Sequence, residues 1–205
     1  MEFSAETLPA FSPLQQTIAG QYVHLVPINQ THAEGLFAIG QEADDWAYMP
    51  RPCFSSLEDC KSWVSEAEYE MKKGRAMVFT LVQPDTQTPM GSSRYFDIQR
   101  PNRSLEIGWT WLGKDYQRTP VNTEAKLLLL SYALDDLKAN RVQIKTDGRN
   151  LRSQKAIARI GAQHEGVLRS HMVVQNGFVR DTAMFSVIQS DWKNVKAQLN
   201  KMLGR

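Results

Sequence analysis

The chain has 205 residues, with 24 Lys plus Arg against 22 Asp plus Glu, so its formal charge is only +2, and 42% of its residues are hydrophobic. That balance argues against nucleic acid as a main partner, which calls for a clear basic excess, and no apolar run approaches the roughly 20 residues that cross a bilayer. The opening MEFSAETLPAFSPLQQ has no basic start or apolar core, so it is not a signal peptide and a cytoplasmic protein with no membrane partner is expected.

The small net charge hides a division. Residues 31–70 carry nine acidic and two basic residues, a balance of −7, whereas residues 114–160 carry ten basic and five acidic, a balance of +5. Cys53 and Cys60 have no cluster of His or further Cys around them, so neither a disulfide framework nor a metal site is expected.

Residues 1–20 read as an N-terminal arm and 21–205 as one domain, without repeats or a long polar linker. Residues 22–28 (YVHLVPI) alternate like a strand, and Thr31 offers an N-cap for a helix ending near Gly40. A loop over 41–55 holds Trp46, Tyr48, Pro50, Pro52 and Phe54. Ser56 then caps a helix with Asp59 at its third position and Trp63, Ala67 and Met71 four apart, stopped by Gly74.

From there the period becomes two, predicting strands at 76–83, 90–98 and 104–112, separated by Pro84-Asp85 and Pro101-Asn102. Simple alternation in the third puts Leu105, Ile107, Trp109 and Trp111 on one face and Glu106, Gly108 and Thr110 on the other. Residues 122–137 form an apolar helix, Val142, Ile144 and Thr146 a strand, and Asn150 caps a helix with an inward stripe of Leu151, Ile157 and Ile160, closed by Gly161. Asn176-Gly177 joins strands at 165–175 and 178–189, and a last helix covers 191–203. The class is α/β (mixed α+β): a mixed sheet flanked by helices, with any ligand expected at strand ends within 104–160.

The loop and helix start LGKDYQRTPVNTE, residues 112–124, combine unpaired N–H groups and a partial positive charge with Lys114 and Arg118, a setting for phosphate. An ordinary helix start with proline near its first position fits the same residues. Taken with Leu105-Glu106-Ile107-Gly108-Trp109, Asn150-Leu151-Arg152-Ser153, Gly161-Ala162 and Glu165-Gly166-Val167-Leu168-Arg169, the segment resembles the GNAT superfamily of acetyl-CoA-dependent N-acetyltransferases, closest to its Rim-type branch of ribosomal-protein N-terminal acetyltransferases.

The resemblance implies the family's fold, a central twisted mixed sheet flanked by helices, and acetyl-CoA as co-substrate. It places the pantetheine arm against Trp109, Thr110, Trp111 and Leu112 at a strand bulge. It places the pyrophosphate on the loop after Gln117, at the N–H groups of Arg118, Thr119, Val121, Asn122 and Thr123. Pro120 and Asn122 stand where the family pattern has small residues, and Pro120 supplies no N–H. Asn150 and Ser153 match the family's Asn-x-x-Ser, with Asn on the pantetheine arm and Ser near the sulfur; Arg152 lies between them. A cap and an exposed first-turn residue are the other roles open to that pair.

A lysine amine, with a pKa of about 10.4, needs a base more than an α-amine at about 7.7 to 8 does. Glu106 lies eleven residues before Gln117, the spacing of the strand-borne base in histone-acetylating members; an ordinary strand carboxylate is its other role. Some Rim-type relatives carry a carboxylate at the position of Met172, and that base is absent.

Trp46, Tyr48, Arg94, Tyr95 and His171 are candidates for the acceptor pocket, and the acidic balance of 31–70 would favour a cationic acceptor. The expected reaction is acetyl transfer to a primary amine, first of all a peptide or protein N-terminal α-amine. Detoxifying acetylation of a small amine or an aminoacyl-nucleotide antibiotic, and a non-catalytic acyl-CoA-binding regulator, are the alternatives. A homodimer built through the last hairpin and helix is a further expectation.

Overall fold

A computed structural model describes residues 9–205, so the first eight residues of the expected arm lie outside the described residues. Two contacts tie the largely exposed remainder of the arm to the domain: Phe11 is buried beneath the Arg103 guanidinium, and the Leu14 N–H donates to the Tyr132 hydroxyl at 3.0 Å.

The strands are β1 (Ile18–Ala19), β2 (His24–Pro27), β3 (Met77–Val82), β4 (Pro89–Gln99), β5 (Ser104–Leu112), β6 (Arg141–Asp147), β7 (Gln163–Val173) and β8 (Val179–Ile188). They form one sheet in the order β1-β2-β3-β4-β5-β6-β8-β7. β5 and β6 run parallel, whereas the other neighbours are antiparallel. The helices are α1 (Ala33–Ile39), α2 (Ala43–Trp46), α3 (Leu57–Lys72), α4 (Pro120–Ser131), α5 (Leu151–Arg159) and α6 (Trp192–Met202).

Local chemistry explains most of the boundaries. Ser56 caps α3 by accepting the Asp59 N–H, as its sequence position implies. Asn29, not Thr31, caps the turn before α1, accepting the Thr31 N–H at 2.9 Å. A short helix, α2, occupies part of the expected loop. α4 begins at Pro120 with Thr119 as its cap and passes into a π-helical turn at Tyr132–Asp136, in place of one helix over 122–137. The last hairpin closes across Gln175–Gly177, one residue longer than the expected Asn176-Gly177 turn, with the Val174 N–H donating to the Phe178 carbonyl at 2.9 Å; Asn176 and Gly177 take positive φ, 58° and 71°, as their identities favour.

α3 and α4 cover opposite faces of the sheet. Trp63 of α3 meets Trp111 with Trp46 and Phe54 in a cluster of rings whose centroids lie 5.0 to 6.5 Å apart. On the other face, the Tyr95 hydroxyl donates 2.6 Å to the Leu129 carbonyl of α4. Buried Glu124 of α4 accepts the N–H groups of Gln21, Tyr22 and Val23 and pairs with Arg205, joining distant segments of the chain.

The expected alternation along β5 fails at one point. Arg94 pairs with Gly108 and Ser92 with Trp111, so Ser93 opposes both Trp109 and Thr110, and Trp109 takes φ +50°. This bulge inserts one residue and reverses the faces beyond it. Leu105 and Ile107 therefore face α4, whereas Trp111 faces α3. Thr110 turns toward α4, where Lys126 donates to its hydroxyl.

Candidate active site

β5 and β6 pair only over Ser104–Glu106 and Arg141–Gln143 and then part. Beyond Glu106, the β5 edge toward β6 therefore has no strand partner. A cavity of about 670 Å³ fills the opening and reaches both faces of the sheet.

On the α4 side the cavity is lined by Thr110, Leu112, Gln117, Arg118, Thr119, Asn122 and Lys126, and by Asn150, Arg152, Ser153 and Ile157 around α5. The α4 N-terminus supplies N–H groups without intrahelical partners, while Arg118, at φ +60°, turns the chain into it. Gln117 fixes this loop through its side-chain amide, donating to the Leu112 carbonyl at 3.0 Å and to Asp45 at 2.8 Å. Asn150 caps α5 through Oδ1, which accepts the Ser153 N–H at 2.9 Å and leaves its side-chain NH₂ for another partner. These residues fit a pantetheine diphosphate: an unpaired strand edge, a helix N-terminus and nearby guanidinium groups. Val121 and Thr123 are buried in α4 and their side chains do not line the cavity. The Val121 N–H is already shared with the Thr119 hydroxyl at 3.4 Å.

Lys126 was not apparent from the sequence as a site residue, although a lysine directly before the apolar run LLLL (127–130) of its helix was the available signal. Its ammonium bonds the Thr110 hydroxyl at 2.7 Å, and burial lowers its pKa to about 7.

The opposite side of the sheet carries a different set. Directly paired residues share a face, so Glu106, Gly108, Lys145, Asp147, Thr182 and Arg180 point together toward the α3 side. Glu106 is buried, pairs with Lys145 at 2.9 Å and accepts from Gln143 at 2.9 Å. Burial raises its pKa, with Lys145 and Gln143 pulling the other way. Gly108 keeps space beside it: a Cβ there would meet the Phe96 ring at 2.8 Å and lie 3.4 Å from the Glu106 carboxylate. Tyr48, Met49, Pro50 and Met172 complete this end.

Several acceptor expectations change. Trp46 and Tyr95 are 1% and 0% exposed and belong to the core, since the aromatic cluster and the Leu129 carbonyl engage them. Arg94 does not line the cavity; its guanidinium stacks over Trp63 and Trp109, with Nε and Nη2 lacking partners among the described residues, and burial lowers its pKa to about 10. His171 is exposed, off the cavity, and shares a hydrogen bond with Thr182 at 3.0 Å. Tyr48 does line the cavity.

The electrostatic expectation is also corrected. Of the nine acidic residues in 31–70, Asp45 alone lines the cavity, and it sits with Gln117 and Arg152 rather than beside Glu106. The others lie on helix faces and loops away from the opening.

Residues 23–163 match the model of the acetyltransferase (GNAT) domain. A relative in Bacillus subtilis (strain 168), YdaF, named as a ribosomal N-acetyltransferase, is 32% identical over 100 residues, which are 49% of this chain and 54% of that relative. The match thus spans about half the length of YdaF. A GCN5-related N-acetyltransferase from Brucella melitensis superposes with a TM-score of 0.87 at 28% identity, covering 94% of this chain and 87% of that one. The microcin C7 self-immunity acetyltransferase MccE, solved with acetyl-CoA and AMP, shares the fold at a TM-score of 0.74 and 23% identity over 82% of this chain and 93% of its own. With the domain match extending over more than half of its length, the chain belongs to the GNAT acetyltransferase family.

Proposed function

We propose that this enzyme transfers the acetyl group of acetyl-CoA to a primary amine, first of all a peptide or protein N-terminal α-amine. The carrying observation is that one cavity joins the unpaired β5 edge and the α4 N-terminus to buried Glu106 on the opposite face of the sheet. The complex of MccE with acetyl-CoA and the name of YdaF support the co-substrate and the acceptor class.

In this reading acetyl-CoA supplies the activated acetyl thioester. Gln117, Arg118, Thr119, Asn122 and Arg152, with backbone N–H groups of Val121 and Thr123, hold its phosphates at the α4 N-terminus. Trp109, Thr110, Trp111 and Leu112 offer backbone groups to the pantetheine arm, as Asn150 offers its free NH₂. Glu106, kept basic enough by burial, takes the acceptor's proton through a water. An N–H of Trp109 or Thr110 faces negative charge on the acetyl oxygen, and Ser153 or water returns a proton to sulfur. The single domain over 21–205, a cytoplasmic place of action and a homodimer belong to the same reading.

Thiol release from acetyl-CoA with a panel of N-terminal peptides and small amines tests it. Release that depends on an amine and falls sharply in Glu106→Gln is expected. Tight CoA binding with no release for any amine would replace the enzyme reading with that of an acyl-CoA-binding regulator.

A further inference from the structure

The acceptor end of the cavity holds a cation whose charge nothing in the described chain neutralises. Arg180 is 5% exposed and lines the cavity. Its Nε donates to the Thr182 hydroxyl at 3.2 Å, its Nη1 to the Tyr48 carbonyl at 3.3 Å, and its Nη2 to the Met172 sulfur at 3.3 Å. All three partners are neutral, and the thioether is a weak acceptor.

The neighbouring carboxylates are engaged elsewhere. Glu106 pairs with Lys145, and Asp147 accepts two bonds from the Arg149 side chain and one from its N–H. Among the described residues no carboxylate forms an ion pair with Arg180, so this end of the cavity carries one surplus positive charge. A buried guanidinium without a counter-ion is costly unless a ligand completes it, and its planar fork of donors suits a carboxylate. Burial accordingly lowers the Arg180 pKa, while Asp147 and Glu106 hold it up from a distance.

Register puts Arg180 and Glu106 on the same face of the sheet, both buried and both on the cavity wall. We infer that Arg180 selects the acceptor: the amine presented to Glu106 carries a carboxylate a few bonds away, and Arg180 binds that carboxylate. This inference rests on the acetyl-transfer reading for the identity of the amine, but the charge argument does not depend on turnover. The carboxylate belongs either to a free amino acid or to an acidic first side chain of a peptide.

Binding to the CoA-loaded protein tests this directly, by calorimetric titration with two matched pairs: N-acetyl-L-alanine against its amide, and an acetylated Asp-Ala amide against the Asn-Ala amide. In wild type one carboxylate member should bind at least tenfold tighter than its neutral twin, and the pair that discriminates identifies the source. Arg180→Gln should bring that ratio close to one, and Arg180→Lys should restore part of it, because a lysine keeps the charge and loses the fork. Equal binding within both pairs in wild type, or an equal loss for both members in Arg180→Gln, would assign Arg180 to holding Tyr48 and Met172 and overturn the inference. Carboxylate preference without thiol release from any amine would remove the acetyl-transfer reading and leave the Arg180 site standing.

Discussion

Glu106 and Lys145 form a buried ion pair at 2.9 Å across the point where β5 and β6 begin to separate. The pair stands at the apex of the cavity and sets the protonation of the proposed base. Burial pushes the Glu106 pKa up, and Lys145 opposes that shift. Glu106→Gln keeps the side chain's shape and a carbonyl acceptor for Gln143, so folding should survive while turnover falls about 10²-fold or more.

The same pair predicts a pH effect. A base works only when deprotonated, so activity falls as pH drops through the Glu106 pKa. Lys145→Met removes the nearest influence that lowers this pKa, and the acid limb of the rate profile should move to higher pH. Acceptor kinetics measured across pH for wild type and variant check the shift; an unmoved limb would remove Glu106 from the proton transfer.

Lys126 makes stability depend on pH. Its pKa is about 7 in the fold against about 10.4 in an unfolded chain, so between those values the unfolded state binds more protons. Stability from this group is therefore greatest above the unfolded value and declines as pH falls toward 7. Melting temperature should rise from pH 7 to about 9.5 in wild type, and the rise should flatten in Lys126→Met.

Glu124 holds three backbone N–H groups and the Arg205 guanidinium while itself fully buried. Truncation leaves those donors without an acceptor and should cost about 3–5 kcal/mol. Urea unfolding of Glu124→Ala measures it, and a cost below about 1 kcal/mol would show that water replaces the carboxylate.

Arg118 stands on the cavity wall beside the α4 N-terminus. If phosphate lies there, Arg118→Ala should weaken CoA by about ten- to a hundredfold through loss of charge-assisted bonds of about 1.5–3 kcal/mol. Dephospho and full-length CoA titrated against both proteins separate contact with the pyrophosphate from contact with the ribose phosphate.

Local signals in the chain were sufficient for much of this architecture. Ser56 with Asp59, Gly74, the period of two over the middle strands, and Asn176-Gly177 act within a few residues of themselves, so their outcome is independent of the rest of the fold. The motif from Gln117 to Asn122 and the Asn150–Ser153 spacing likewise marked one wall of the cavity.

Tertiary structure decided the rest. The bulge at Trp109 reverses the faces of β5; Gly108 just before it is the one local hint, but the extra residue is defined only against Ser93 on β4. Trp46 and Tyr95, acceptor-pocket candidates by sequence, went to the core because large rings gain most from burial once partners surround them. Charge counted along residues 31–70 said nothing about the charge of the cavity around Glu106, since Asp45 alone of those carboxylates lines it and it sits with Gln117 and Arg152. Glu106, Lys145 and Arg180 come from three strands, and only the register of a parallel and an antiparallel pair brings them to one face of one cavity.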